Sequence, residues 1–156
     1  MAVEVVTPQG RGAPVTVQKQ RFAPGFFMLD PEGRKYLAAV HADGTLLGKP
    51  GLFGTAVPTR PAKPGDVILL FGTGFGPTDP AAPEGQIVTQ VGRLLSSVTM
   101  RIGGVVADVA FAGLVGAGLY QFNVIVPSLP DGDHAAVAEI GGFGSQATAF
   151  ITVRTQ

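Results

Sequence analysis

The chain has neither cysteine nor tryptophan, and its 11 lysines and arginines are matched by 11 aspartates and glutamates. Each shortage excludes something. Without cysteine there is no disulfide framework, no thiolate metal site and no cysteine nucleophile. The compartment stays open, because a chain long enough to bury a core needs no disulfide. Without net charge there is no electrostatic footprint for nucleic acid or for an anionic membrane surface, so no nucleic-acid partner is expected. No apolar run approaches the roughly 20 residues that cross a bilayer, and no membrane insertion is expected. Residues 1–6 carry neither the basic start nor the long apolar stretch of a signal peptide. Met1 leads straight into a strand-like segment, the start expected of a piece cut from a longer chain and equally of a short natural protein. Charged residues make up only 14% of the sequence against 46% hydrophobic, which excludes disorder by charge excess.

Helical periodicity is also missing. The sequence holds 23 glycines and 13 prolines, and one or the other interrupts nearly every window of a dozen residues. Gln90 to Ser97 is the best helical candidate, a turn or two at most. Apolar positions recur instead at spacing two, the period of a strand. Residues 2–6 and 15–20 read as a long-looped hairpin around Pro8, Gly10, Gly12 and Pro14. Residues 26–29 and 36–41 follow turn residues, and Asp43 with Gly44 leads into Leu46 and Leu47. Pro61, Pro64, Gly65 and Asp66 have the character of a boundary. After them, residues 67–71 form a continuous apolar run, as in a strand covered on both faces. Val98, Met100 and Ile102 alternate with Thr99 and Arg101, and Gly103 with Gly104 makes a two-residue turn, the clearest hairpin in the chain. Residues 119–126 alternate again, a loop is expected over 113–118, and residues 135–140 and 147–153 close the chain as a hairpin around Gly141, Gly142 and Gly144. Short strands every 8 to 12 residues with such punctuation indicate an all-β sandwich.

An internal echo accompanies this pattern. Val137, Ile140, Gly144 and Ala147 repeat Val3, Val6, Gly10 and Ala13 in order and spacing. The first twenty residues then read as a hairpin equivalent to the last one, as in a piece of a tandem array.

A set of local signatures carries a resemblance. They are Ala23, Pro24 and Gly25 with Phe27; residues 61–66; Gly72, Thr73 and Gly74 with Gly76 and Pro77; Ile102, Gly103 and Gly104 with Ala107; and Phe111, Ala112 and Gly113 followed by Gly118, Leu119, Tyr120, Gln121, Asn123, Val124 and Pro127, with small residues at Gly132 and Ser145. From Pro24 onward the chain resembles the uncharacterised C-terminal domain family of acidobacterial, Solibacter-type surface or secreted proteins. The resemblance implies an Ig-like β module, placed outside the cell, with no established activity. This chain departs from the family pattern in lacking the large partner domains that usually accompany the module.

Candidate chemistry is sparse. Ser96, Ser97, Ser128 and Ser145 lack the flanking glycines of a nucleophile elbow, and only His41 and His134 could act as an imidazole base. The glycines at 72, 74 and 76 follow a strand, but Pro77 and Pro80 prevent a helix from opening there and no lysine follows for a phosphate. Asp131, Asp133 and His134 crowd one loop and are the candidate metal ligands, with Ca²⁺ the cation that oxygen ligands two apart would share. The same Pro-Asp-Gly-Asp run is equally a turn, and no cofactor is expected. A glycoside hydrolase needs two carboxylates, for which Asp131, Asp133, Glu84 and Asp79 are the candidates. Tyr120, Gln121 and Asn123 are the candidate ligand-binding side chains, with tying down of loop backbone as their structural role.

These observations lead to an all-β fold: an Ig-like β-sandwich over residues 61–156, with an N-terminal β extension over 1–60 that packs on it or forms a small satellite. The expected function is a non-catalytic structural or binding module of a secreted or surface protein, of spacer, adhesion or carbohydrate-binding type. Its recognition would fall to the loops 72–85, 113–118 and 128–134. Carbohydrate or another protein is the expected partner, and the chain is expected to be a monomer or an edge-strand dimer. The alternative is a small hydrolase acting on glycans through loop carboxylates.

Overall fold

A computed structural model describes residues 1–29, 35–82 and 87–155. Every regular element among them is a β-strand. The chain opens with four two-residue strands, β1 (Ala2–Val3), β2 (Val6–Thr7), β3 (Gly10–Arg11) and β4 (Val15–Thr16). Then come β5 (Gly25–Phe26), β6 (Ala39–His41), β7 (Leu46–Leu47) and β8 (Thr59–Arg60). Longer strands follow: β9 (Val67–Thr73), β10 (Thr78–Asp79), β11 (Gly92–Leu94), β12 (Val98–Ile102), β13 (Val105–Ala107), β14 (Val109–Gly116), β15 (Leu119–Ile125), β16 (Gly132–Ile140), β17 (Phe143–Gly144) and β18 (Phe150–Val153).

Two sheets dominate. The first runs β10-β11-β14-β15-β9-β6-β7-β8, with β5 also on β9. The second runs β13-β12-β16-β17, with β18 also on β16. The spacing-two pattern explains why they face each other: Ile68 and Leu70 of β9 and Phe122 and Val124 of β15 point one way and are fully buried. They meet Met100 and Ile102 of β12, Ala136, Ala138 and Ile140 of β16, and Ile151 and Val153 of β18 in one core. The Gly103-Gly104 hairpin forms as expected, pairing Ile102 with Val105 and Met100 with Ala107. The chain then changes sheet: β13 belongs to the second and β14 to the first.

Three local expectations are corrected. Gln90 to Ser97 contains no helix; its centre is β11, held between β10 and β14 by ladder bonds that outweigh a marginal local helix. Strand β9 is not covered on both faces, since its inward residues are fully buried while Val67 is 40% exposed. Residues 113–116 are strand rather than loop, the end of β14 paired with β15, and the turn is confined to Ala117 and Gly118.

The chain crosses residue 60 inside the fold. Residues 25–60 supply β5 to β8 to the first sheet. Two of their neighbouring stretches also reach the free edge of β18. Leu37 N–H donates to Phe150 O at 3.1 Å and Phe150 N–H to Lys35 O at 2.8 Å, while Ala62 N–H donates to Thr152 O at 2.9 Å. From that edge the chain passes into β6 and β9 respectively, lacing the second sheet to the first along one side. The segment that stands apart is shorter than the expected extension: residues 1–21 are exposed throughout, and Phe22 is the first buried side chain.

Candidate functional site

The most connected polar group lies where the lacing segment meets β16 and β18. Strand pairing sets Asp133 opposite Thr152, and the Thr152 hydroxyl donates to Asp133 Oδ1 at 2.8 Å. The buried Tyr36 donates its phenol to Asp133 Oδ2 at 2.7 Å, and Lys35 Nζ donates to the same oxygen at 2.6 Å. The Lys35 ammonium also lies 5.2 Å from the centroids of the Tyr36 and Phe150 rings, within cation–π range. Partial burial pushes the Asp133 carboxyl up. The combined hydrogen bonds from Lys35, Tyr36 and Thr152 outweigh that and hold it below its usual range. The hydrogen bond to Asp133 correspondingly raises Lys35. Both groups therefore stay ionised at neutral pH.

The sequence neighbours of Asp133 turn to other partners. Asp131 accepts from the Thr155 N–H and the Thr155 hydroxyl, both at 2.8 Å, and these bonds hold its carboxyl below the usual range. His134 directs Nε2 at the Pro130 carbonyl, 2.8 Å away, clamping its own loop. The three candidate metal ligands thus serve three separate contacts. Among the described residues, no three His, Cys, Asp or Glu side chains are grouped to hold a metal ion.

The candidate carboxylates are similarly dispersed. Asp79 sits on the outermost strand of the first sheet, exposed and in register with Arg93. Glu84 lies outside the described residues. A general acid for glycoside cleavage needs a raised pKa, whereas Asp131 and Asp133 are both lowered. The imidazoles are committed too. His41 is 2% exposed, with Nε2 3.1 Å from the Arg60 carbonyl and Nδ1 3.8 Å from Asp66 Oδ2. Ser145 Oγ accepts from the Ala138 N–H at 3.0 Å. Among the described residues no buried side-chain nitrogen or oxygen lacks a hydrogen-bond partner.

Strand alternation divides the candidate ligand-binding trio. Tyr120 faces inward: its ring lies 5.8 Å from that of Phe75, its hydroxyl donates to the Gly76 carbonyl, and burial pushes its pKa up. Gln121 and Asn123 lie on the opposite, outer face of the first sheet and are joined by a 2.8 Å hydrogen bond from Gln121 Nε2 to Asn123 Oδ1. Their cross-strand neighbours are Phe71 and Gly113 for Gln121, and Leu69 and Phe111 for Asn123. The Arg93 guanidinium stands 5.3 Å from the Phe111 ring centroid. This partly exposed patch, two amides between aromatic rings, offers hydrogen bonds and apolar contact side by side.

Sequence reasoning missed four residues that matter here. Lys35, Tyr36 and Thr152 complete the Asp133 cluster, and Gln146 grips the Phe26 backbone, accepting from its N–H at 2.9 Å and donating to its carbonyl at 2.7 Å. Tyr36 was the one with a signal, as one of only two tyrosines in the sequence. Comparison of the chain with protein-family models, with curated proteins and with solved structures gives no match.

Proposed function

We propose that this chain is a non-catalytic, Ig-like β-sandwich module, a structural or binding unit of a larger secreted or surface protein. The observation that carries the reading is the Asp133 cluster. The carboxylate best placed to do chemistry accepts three hydrogen bonds from the fold's own side chains and joins the lacing segment to both strands of the last hairpin. A group so engaged stabilises a scaffold; it has neither the raised pKa of a general acid nor the freedom of a nucleophile. The extracellular address rests on the resemblance carried by residues 102–127. Recognition of a carbohydrate or of a protein partner falls to the outer face of the first sheet, where Gln121 and Asn123 are flanked by Phe71 and Phe111, rather than to the loops.

The test is turnover on a panel of glycan and ester substrates by the full chain and by Asp131→Asn and Asp133→Asn. The expected result is no turnover above the uncatalysed rate for any of the three. Turnover by the native chain that either substitution abolishes would establish the hydrolase instead.

A further inference from the structure

Residues 1–17 fold as a hairpin whose apolar face is uncovered. Its inner half pairs Val6 with Arg11 and Thr7 with Gly10 around a two-residue turn, Pro8 and Gln9, and Gly12 N–H donates to Val5 O at 2.9 Å. Its outer half pairs Val3 with Val15 and Ala2 with Thr16, and Val17 N–H donates to Met1 O at 2.8 Å. Between the halves the returning strand carries an extra residue, a bulge.

The hairpin that closes the sandwich has the same plan. Ile140 pairs with Phe143 and Glu139 with Gly144 around the two-residue turn Gly141 and Gly142, and Ser145 N–H donates to Ala138 O at 2.8 Å. Its returning strand also slips before resuming, with Ala136 N–H donating to Ala149 O at 2.8 Å and His134 paired with Ile151. When the two turns are matched, Val3 and Val5 take the places of Ala136 and Ala138, and beyond the slip Val15 and Val17 take those of Ala149 and Ile151. Those four positions in the closing hairpin are fully buried. In the first hairpin Val3, Val5, Val15 and Val17 are 42%, 66%, 62% and 38% exposed. The match moves the sequence echo by one residue as far as Gly10 and restores it from Val15 onward, because the first hairpin slips by one residue and the closing hairpin by two.

The two faces differ as the faces of a closing hairpin should. Val3, Val5, Val15 and Val17 share one side by cross-strand pairing and alternation, with Thr7 at the place of Ile140, while Glu4 and Arg11 form a 3.0 Å ion pair on the other side beside the exposed Val6. A hairpin that met only solvent would have no reason to place four valines on one side. An edge-to-edge partner would use its backbone rather than this face; a facing layer covers it, and at the matching positions of the closing hairpin that layer is a sheet.

We propose that residues 1–17 are the closing hairpin of a second sandwich of the same kind that precedes this one in the intact protein, with residues 18–21 as the link to Phe22. The valine face is then the part of that preceding core supplied by this chain, and the protein is a tandem array. The inference rests on the module reading above, and the two fail separately. Loss of the array leaves the absence of turnover untouched, whereas turnover abolished by Asp133→Asn would remove the module reading whatever precedes residue 1.

The test begins with the reading frame immediately upstream of the codon for Met1. The expected result is an open frame encoding a counterpart of β12 to β15: an alternating apolar hairpin with a Gly-Gly turn, then a strand alternating large apolar residues. A stop codon or an unrelated sequence there overturns the proposal. With the counterpart present, the naturally extended protein is compared with the 156-residue chain by amide hydrogen exchange. Exchange at Val3, Gly12 and Val17 is expected to slow by about 100-fold or more in the extended protein, and Val15→Asp to reverse it. Equal, fast exchange in both proteins overturns the proposal as well.

Discussion

Phe122→Ala is expected to lower the unfolding free energy by roughly 3–5 kcal/mol, the usual cost of emptying a phenylalanine site in a packed core. Phe122 is fully buried at the middle of β15, between β9 and β14. Its ring centroid lies 4.4 Å from that of Phe75 and 5.9 Å from that of Phe26, and Phe26 and Phe75 are themselves 5.7 Å apart. Truncation therefore strips contacts from the Phe26 and Phe75 rings at once, in a region held on both sides by hydrogen-bonded strands that cannot collapse into the space. Against a domain stability of about 5–15 kcal/mol the loss is a large fraction. Urea titration followed by intrinsic fluorescence or circular dichroism measures it. A loss below about 1 kcal/mol would show that the two sheets do not share this core.

Gly74→Ala is expected to cost roughly 2–5 kcal/mol, about 1–2 from left-handed backbone and the rest from a carbonyl pushed off its partner. Gly74 has φ of 78°, and a Cβ there would stand 1.9 Å from the Ala23 carbonyl oxygen and 2.7 Å from its carbon. Both obstacles are main chain and cannot rotate away. The same contact includes a hydrogen bond from Ala23 N–H to the Gly74 carbonyl at 2.9 Å, so relieving the clash breaks the bond that docks the segment beginning at Phe22. The effect should be local first: amide exchange at Ala23, Phe26 and Phe27 speeds up before that of β15. An unchanged midpoint with unchanged protection at those amides would mean that residues 22–27 are not tied to β9 in solution.

The elements legible in the sequence were those whose information is local. Val98 to Ala107 announces a hairpin because alternation and a Gly-Gly turn coincide, and residues 119–126 announce a strand because Phe122 and Val124 recur at spacing two. The alternation of β15 also contained, unread, the division of Tyr120 from Gln121 and Asn123. What stayed hidden depends on distant partners. Lys35 and Tyr36 meet Asp133 across 98 and 97 positions, and Gln146 meets Phe26 across 120. No spacing rule connects residues so far apart. Residues 35–37 and Ala62 attach to β18 through single bridges, too brief to leave a pattern of alternation, so the lacing of the two sheets had no signature. Gln90 to Ser97 failed for the opposite reason: a faint local preference was overruled by the strands on either side of Gly92.

Asp133 is a structural carboxylate, held by Lys35, Tyr36 and Thr152. Its folded-state pKa lies below the usual value, so its contribution to stability is present above about pH 4 and is lost as the pH falls through the folded-state value. Urea unfolding of the native chain and of Asp133→Asn from pH 7 down to pH 2 is the most direct measurement. Asp133→Asn is expected to be less stable by about 1–2 kcal/mol near neutrality, where Lys35 and Tyr36 lose a charged partner. The native curve is expected to fall more steeply in acid, so that the two converge. Superimposable curves across the whole range would contradict a structural role for Asp133, and would leave it free for some other one.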